Sequence, residues 1–279
     1  MKTELFPFQK KAVAELRSKT AEAIGSYHRT STPQVVSLQA PTGSGKTIIM
    51  AALIEEIYYG NALYEEQPDA IFVWLSDSPT LNAQSKDKME TKADKLFGRC
   101  VTISGESFDG EYLDDGYIYF LNTQKLGKGD NLTKHGDRRN YTIWETLTNT
   151  VREKSDRLYF IIDEAHRGMQ GREAGKATSI MQRFLKGYAP VKLPAMPVVI
   201  GVSATAKRFN TLVGDTSSTL QKCVITANDV RASGLLKDRI VITYPEDKEK
   251  YNELAVLGAA VTEWHKKCDH WYQYCHNHR

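Results

Sequence analysis

The stretch that decides the fold is Ala40-Pro41-Thr42-Gly43-Ser44-Gly45-Lys46-Thr47, between an apolar run at residues 35–38 and a helix-like run at residues 46–59. A turn of small residues between a strand and a helix lets successive backbone N–H groups point at one anion, and the helix adds its positive end. The stretch therefore predicts a phosphate cradle over residues 41–47. Lys46 would reach the β- and γ-phosphates of a nucleotide, and the Thr47 hydroxyl would bind Mg²⁺. Ala40 stands where the usual pattern has glycine.

A pair of acids follows a second apolar run. Asp163-Glu164-Ala165-His166 comes directly after residues 158–162, so both carboxylates are expected at the carboxyl end of a strand, where open α/β sheets bind ligands. Asp163 is predicted to hold Mg²⁺, and Glu164 to position and deprotonate the attacking water. His166 would sense the γ-phosphate. The alternative is an acidic surface turn after a buried strand.

A third short motif, Ser203-Ala204-Thr205, follows the apolar run at residues 198–202. The hydroxyls of Ser203 and Thr205 can bond to the acidic strand end and couple it to the nucleotide. Alone, the tripeptide is uninformative, because Ser and Thr at strand ends commonly form turns. Its position after the other two motifs gives it weight.

The three motifs, in this order, resemble the superfamily 2 helicases and translocases of the DEAD/DEAH-box class. In that family the first motif reads A-x-T-G-x-G-K-T, so Ala40 is the expected variant. The resemblance implies ATP and Mg²⁺ as cofactors. It also implies a catalytic set of Lys46, Asp163, Glu164 and His166.

Two further stretches resemble the elements with which this family grips nucleic acid. Residues 77–84 look like P-T-x-x-L-x-x-Q with the later spacing compressed, and residues 120–124, Phe-Leu-Asn-Thr-Gln, resemble the following strand-binding element. The residues implied to bind nucleic acid are Pro79, Thr80, Gln84, Thr123 and Gln124. Such motifs contact phosphates rather than bases, so they do not separate DNA from RNA.

The N-terminal segment Phe6-Pro7-Phe8-Gln9 looks like the part of the family in which a glutamine recognises adenine. A side-chain amide can donate to one adenine nitrogen and accept from the amino group in one bidentate contact. The alternative is that Gln9 is an exposed polar residue at the start of a helix.

A more particular similarity concerns residues 231–240, Arg-Ala-Ser-Gly-Leu-Leu-Lys-Asp-Arg-Ile, which resemble a stretch of the helicase-bearing subunit of type III restriction enzymes. This resemblance implies DNA rather than RNA as the nucleic-acid partner, and a modification subunit as a further partner. Because superfamily 2 motors close ATP between two RecA-like domains, a second such domain is also expected. The chain by itself should then hydrolyse ATP slowly and unwind no duplex. An RNA-dependent ATPase and a nucleotide-switched binding module remain alternatives.

Composition supports this class without identifying it. The chain has 279 residues, 41% of them hydrophobic, and a net charge of +3, too small to indicate nucleic-acid binding. Lys and Arg nevertheless cluster after both strand-gripping motifs, at residues 86–99 and 125–139. The absence of a signal-like segment and of a bilayer-length apolar run predicts a cytoplasmic protein with no membrane contact. Its four cysteines are expected to be free thiols.

The pattern of runs predicts an α/β fold, a RecA-like P-loop domain with a mostly parallel sheet and helices on both faces. Residues 1–33 would form an N-terminal helix, carrying the adenine segment and ending in a polar hinge at residues 26–33. Residues 34–245 would form the ATP-binding domain, with an insertion over residues 105–156 whose part 127–140 is mobile. Residues 246–279 would be a helical extension towards a second motor domain. A zinc site at the Cys- and His-containing tail is the alternative to a helix packed on a neighbour. The predicted strands are 35–38, 70–75, 101–104, 117–121, 158–162, 198–202 and 240–243.

Overall fold

One parallel sheet organises the first part of the chain. The computed structural model describes residues 1–105, 108–127, 130–136, 139–163, 172–204, 219–235 and 253–277. Within these residues seven strands form the sheet in the order β3-β4-β2-β5-β6-β1-β7, and every pairing is parallel. The strands are β1 (Gln34–Gln39), β2 (Ile71–Ser76), β3 (Cys100–Thr102), β4 (Ile118–Asn122), β5 (Leu158–Asp163), β6 (Val198–Ser203) and β7 (Thr219–Val224).

Helices cover both faces of this sheet, as predicted. The helices are α1 (Pro7–Thr30), α2 (Lys46–Tyr59), α3 (Pro79–Lys92), α4 (Ile143–Lys154), α5 (Arg172–Lys186), α6 (Ala227–Ala232) and α7 (Glu253–Asn277). Neighbouring residues of one strand pack in two separate hydrophobic cores. Val36 belongs to the core that includes α1 and α2, and Val35 belongs to the core that includes α4 and α5. Burial on both faces explains why the inner strands read as continuous apolar runs.

One strand of the sheet was not predicted, and one predicted strand is not tested. The run at residues 240–243 lies outside the described residues. The sequence did not predict β7, which pairs with β1 and forms one edge of the sheet. The remaining six predicted strands are confirmed to within one or two residues, and α2 begins and ends where the sequence placed it.

The predicted polar hinge at residues 26–33 is wrong over its first part, because α1 continues to Thr30. Pro7 opens the helix, and Gln9 and Phe6 form reciprocal contacts around its first turn. The helix ends at Thr30, and the next residue, Ser31, caps it in a left-handed conformation with φ 53°.

The predicted insertion over residues 105–156 is too wide. Helix α4 is the crossover between β4 and β5, and its Trp144 and Leu147 are buried in the core. Around the stretch 127–140, which was predicted to be mobile, the described residues make defined contacts: Leu132 is buried, and Arg139 donates to the carbonyls of Gly105 and Phe108.

Residues 237–279 form a separate unit in which the described part is the single helix α7. Its large apolar side chains, including Trp264 and Trp271, are exposed. Within the described ranges, no group of three or more His, Cys, Asp or Glu side chains is arranged to hold a metal ion. All four cysteines are free thiols, as predicted. In the described part of the chain, no helix combines the length and apolar character needed to span a bilayer.

Candidate functional site

Three adjacent strands bring the three sequence motifs together at the edge of the sheet that is formed by the carboxyl ends of the strands. Strand β6 lies between β5 and β1, with Asp163 aligned to Val202 and Gln39 aligned to Ser203. The backbone N–H of Ala40 continues this register by donating to the Ser203 carbonyl at 3.0 Å. Since neighbouring strands are about 4.8 Å apart, the acidic strand end lies roughly 10 Å from the start of the loop. A metal-bound triphosphate can bridge that distance.

The loop after β1 has the backbone that a phosphate cradle needs. Gly43 and Gly45 adopt left-handed φ values of 88° and 80°, which residues with a Cβ avoid. Gly45 is the N-cap of α2, so the first turn of that helix begins inside the loop. N–H groups of a first turn have no acceptor within their own helix and are available to an anion.

Lys46 lies over this loop. Its Nζ donates to the carbonyls of Ala40 at 3.1 Å and Pro41 at 3.2 Å, which holds the ammonium group at the centre of the turn. Thr47 follows in the same first turn and is half-buried. The structure thus brings the predicted phosphate-binding and metal-binding side chains to one place.

Gln9 joins the N-terminal segment to the same loop. Its Nε2 donates to the Ser44 carbonyl at 2.9 Å, and its Oε1 accepts from the Phe6 backbone N–H at 3.0 Å. With 4% of its surface exposed, Gln9 is not the solvent-exposed polar residue of the alternative interpretation. An amide has two donor hydrogens and a carbonyl with two lone pairs, so these two bonds leave one donor and one lone pair for a ligand.

A cavity of about 390 Å³, lined in part by Phe8, the residue before Gln9, lies on the side of β1 opposite to Asp163. It lies between the first turns of α1, the end of β7 and α6; lining side chains include Phe8, Lys11, Ile225 and Asp229. Its volume is within the range of small-molecule sites. No sequence pattern indicated this cavity, because β7 and α6 were not predicted.

The acidic motif is described only at its first residue. Asp163 is half-buried at the end of β5, whereas Glu164, His166 and Thr205 lie outside the described residues. Ser203, the described part of the third motif, is buried at the end of β6. A carboxylate and a hydroxyl are hard oxygen donors of the kind that Mg²⁺ prefers, so Asp163 and Thr47 fit the predicted metal.

The two stretches predicted to grip nucleic acid also meet at this edge, beside the acidic strand. Strand β2 pairs with both β5 and β4. The Ser78 side chain caps α3, and Pro79, Thr80 and Gln84 on its first turns are exposed. The positive end of a helix and exposed polar side chains suit a phosphate group.

Two side-chain amides tie these two stretches together, and the sequence interpretation missed the buried one, Asn82. Asn82 Nδ2 donates to the Leu121 carbonyl at 2.8 Å, and Gln124 Nε2 donates to the Asp77 carbonyl at 3.3 Å. Thr123 has only 2% of its surface exposed, so its side chain does not lie on the surface to which the exposed Gln124 belongs. The sequence signal for this tie was the asparagine within the first stretch, because a helix that lies wholly on the surface does not require an asparagine there.

The basic clusters divide into structural and exposed residues. Arg99 donates to the Gly116 carbonyl at 2.8 Å and stacks on Tyr58, and Arg139 is bound to backbone carbonyls. These two arginines therefore support the fold. Lys88 and Lys92 on α3 are exposed.

Comparison with protein families decides the class. The family model of the type III restriction enzyme res subunit matches residues 2–208. The chain belongs to this family. The res-family chain is accordingly a superfamily 2 motor domain of the helicase-like ATPase type.

Among solved structures, the res-family chain is similar to the UvsW helicase from bacteriophage T4, with 16% sequence identity and a TM-score of 0.41. The match covers 79% of this chain and 61% of that chain. No curated protein matches the res-family chain.

Proposed function

We propose that the chain is the ATP-binding first motor domain of a DNA helicase or translocase of a restriction-type system. The proposal rests on one observation: Asp163, Ser203 and Ala40 lie side by side at the carboxyl ends of the adjacent strands β5, β6 and β1. Ala40 begins the loop that is predicted to bind phosphate. Motifs far apart in the sequence meet there at the carboxyl ends of three adjacent strands.

The proposed roles follow from position. Lys46 and the N-terminal end of α2 would bind the β- and γ-phosphates. Thr47 and Asp163 would hold Mg²⁺, whose chemistry when bound is to neutralise charge on the phosphate oxygens. Glu164 would take the proton of the attacking water, and Ser203 with Thr205 would couple the acidic strand to the loop. The adenine would lie at the Phe8 end of the cavity, beside Gln9.

Nucleic acid would bind at the carboxyl ends of β2 and β4. The phosphate backbone would contact Thr80 and Gln84 at the start of α3, and Gln124 beyond β4. Because β2 pairs with β5, this surface is one strand away from Asp163. A second RecA-like domain, within the same protein or supplied by another chain, would complete the ATP site, and a modification subunit would direct the motor to DNA.

Nucleotide binding tests the first half of the proposal. Lys46→Ala should weaken binding of a fluorescent ATP analogue with Mg²⁺ by at least about tenfold, because the main cation of the phosphate site is lost. Lys186→Ala, which changes an exposed lysine at the end of α5, should leave the affinity unchanged. Equal affinities of the two variants would contradict the assignment of the phosphate site.

Nucleic-acid binding tests the second half. Gln84→Glu places a negative charge on the proposed phosphate surface and should weaken single-stranded DNA binding by about tenfold in fluorescence anisotropy. Thr91→Glu adds the same charge near the other end of α3, at an exposed site, and should change affinity less than twofold. Tighter binding to RNA of the same sequence would favour an RNA-dependent ATPase. Equal effects of the two substitutions would refute the surface.

A further inference from the structure

Helix α7 has an apolar stripe with a strict seven-residue repeat that the motor chemistry does not use. The spacing alternates between three and four residues along the whole helix. The residues of the stripe, which we call the seam, are Leu254, Leu257, Val261, Trp264, Cys268, Trp271 and Cys275. In heptad terms Leu254, Val261, Cys268 and Cys275 occupy a positions, and the others occupy d positions.

The seam is exposed, and charge is absent from it. Trp264 and Trp271 have 62% and 65% of their surface exposed, and Leu254 has 78%. The polar residues of the middle of the helix lie outside the seam; those on the face away from it are Thr262, Glu263, Lys266, Asp269, His270 and Gln273. Glu263 and Lys266 pair with each other at 3.1 Å on that outer side.

A strict heptad stripe fits another helix better than it fits the face of a domain. A helix on a globular core needs an apolar face that follows the 3.6-residue period, whereas a repeat of 3.5 residues stays aligned only with a supercoiled partner. We propose that α7 pairs with α7 of a second copy of the chain as a parallel, in-register coiled coil. The partner of this seam is thus an identical seam.

The charges beside the seam permit this register. In a parallel pair, each g residue meets the e residue five positions on in the other helix. The resulting pairs are Glu253 with Gly258, Ala260 with His265, and Lys267 with Tyr272. No pair joins two like charges, and Lys267 meets an aromatic ring that can bind a cation.

The area of the seam is sufficient for a dimer. An aromatic side chain buries 150–250 Å², so four tryptophans exposed by 62–65% would bury roughly 500 Å² when two copies meet. The leucines and valines of both copies would bring the total to about 1,000 Å², the lower limit for a specific interface. The helix has 25 residues, a length of roughly 37 Å.

The two seam cysteines make the orientation testable. In a parallel, in-register pair an a residue faces the same a residue, so Cys268 would lie opposite Cys268 of the second copy, within reach of a disulfide. In an antiparallel pair an a residue faces a d residue. Because both cysteines are at a positions, no two of them would then face each other.

The test measures oligomeric state and disulfide formation on the whole chain. Sedimentation equilibrium should show a concentration-dependent dimer. Val261→Asp should raise its dissociation constant by at least about tenfold, because two carboxylates would be buried in the seam. Thr262→Asp, one residue away on the outer side, should leave the dimer intact. In the Cys275→Ser background, mild oxidation should link the two Cys268 thiols.

At protein concentrations at which the wild type is monomeric, circular dichroism and urea unfolding of Val261→Asp should match the wild type, which excludes a folding defect. A monomer at every concentration would overturn the proposal, as would a dimer that tolerates Val261→Asp. A dimer whose Cys268 thiols do not link would overturn the parallel register. These outcomes are independent of the proposed motor function.

Discussion

Gly45 lies where the N-terminal segment contacts the phosphate-binding loop. Replacing it by alanine disturbs that contact through a single added atom, the Cβ. Gly45 has φ +80°, and a Cβ at this position would lie 2.6 Å from Nε2 of Gln9. The left-handed conformation alone costs an L-residue about 1–2 kcal/mol. Displacing the Gln9 amide from the buried Ser44 carbonyl adds about 1–3 kcal/mol. Gly45→Ala should therefore lower the free energy of unfolding by about 2–5 kcal/mol.

Gly98 supplies a matched control. Its φ is +79°, nearly the same as that of Gly45, but a Cβ there would meet nothing within 4 Å. Gly98→Ala should therefore cost only the backbone strain, about 1–2 kcal/mol. The difference between the two variants measures the Gln9 contact.

Urea unfolding and titration with a fluorescent ATP analogue provide the two readouts. Gly45→Ala should also weaken nucleotide binding by at least about tenfold, because a shifted loop no longer aims its N–H groups at the phosphates. Gly98→Ala should bind nucleotide normally. In the Gln9→Ala background the clash disappears, so Gly45→Ala should cost less there than in the wild type. Equal effects of the two glycine substitutions, or strict additivity with Gln9→Ala, would refute the reasoning.

Three further results are expected of the described residues. Burial raises the pKa of the Cys100 and Cys223 thiols to about 12, so at pH 8 they should react with a thiol reagent only after unfolding; fast labelling of either thiol in the native protein would contradict their packing. Backbone N–H groups of residues 140 and 141 lower the pKa of Asp109 below its usual 3.8. The stability that this carboxylate contributes is therefore present above pH 3.8 and lost as pH falls through the lower native pKa. Asp109→Asn should thus destabilise the chain at pH 7 and much less at pH 2; an equal loss at both values would be inconsistent with this role. Asn82→Ala should cost about 1–3 kcal/mol in urea unfolding by removing the buried hydrogen bond to the Leu121 carbonyl, and a neutral result would show that this bond does not fix α3.

The sequence predicted the parts of the fold that local patterns specify. The apolar runs of β1, β2, β5 and β6 are continuous because these strands are buried on both faces, and Gly45 with Lys46 marks the strand-to-helix turn. Strand β7 has no such run: in Thr-Leu-Gln-Lys-Cys-Val, apolar and polar residues mix because the strand lies at the sheet edge. Helix α1 continues through residues 26–30 because no proline interrupts it before Pro33.

Only the parts of the candidate site that belong to sequence motifs could be predicted. Asp163 and Ser203 lie at strand ends and Lys46 at the start of α2, positions that the alternation of strands and helices implies. The bond from Gln9 to the Ser44 carbonyl joins residues far apart in the chain and depends on how α1 packs, so no local pattern indicates it. For the same reason the tie from Asn82 to Leu121 and the burial of Thr123 became visible only in the structure.

The central claim is that Lys46, Thr47 and Asp163 act on one metal-bound nucleotide. Its most direct test is the effect of Mg²⁺ on ATP affinity, measured by calorimetry in the wild type and in Asp163→Asn. The control is Asp156→Asn, which removes an exposed carboxylate before the opposite end of β5. Mg²⁺ should tighten ATP binding at least about tenfold in the wild type and in Asp156→Asn, and should have little effect in Asp163→Asn. The same tightening in all three proteins would contradict the claim.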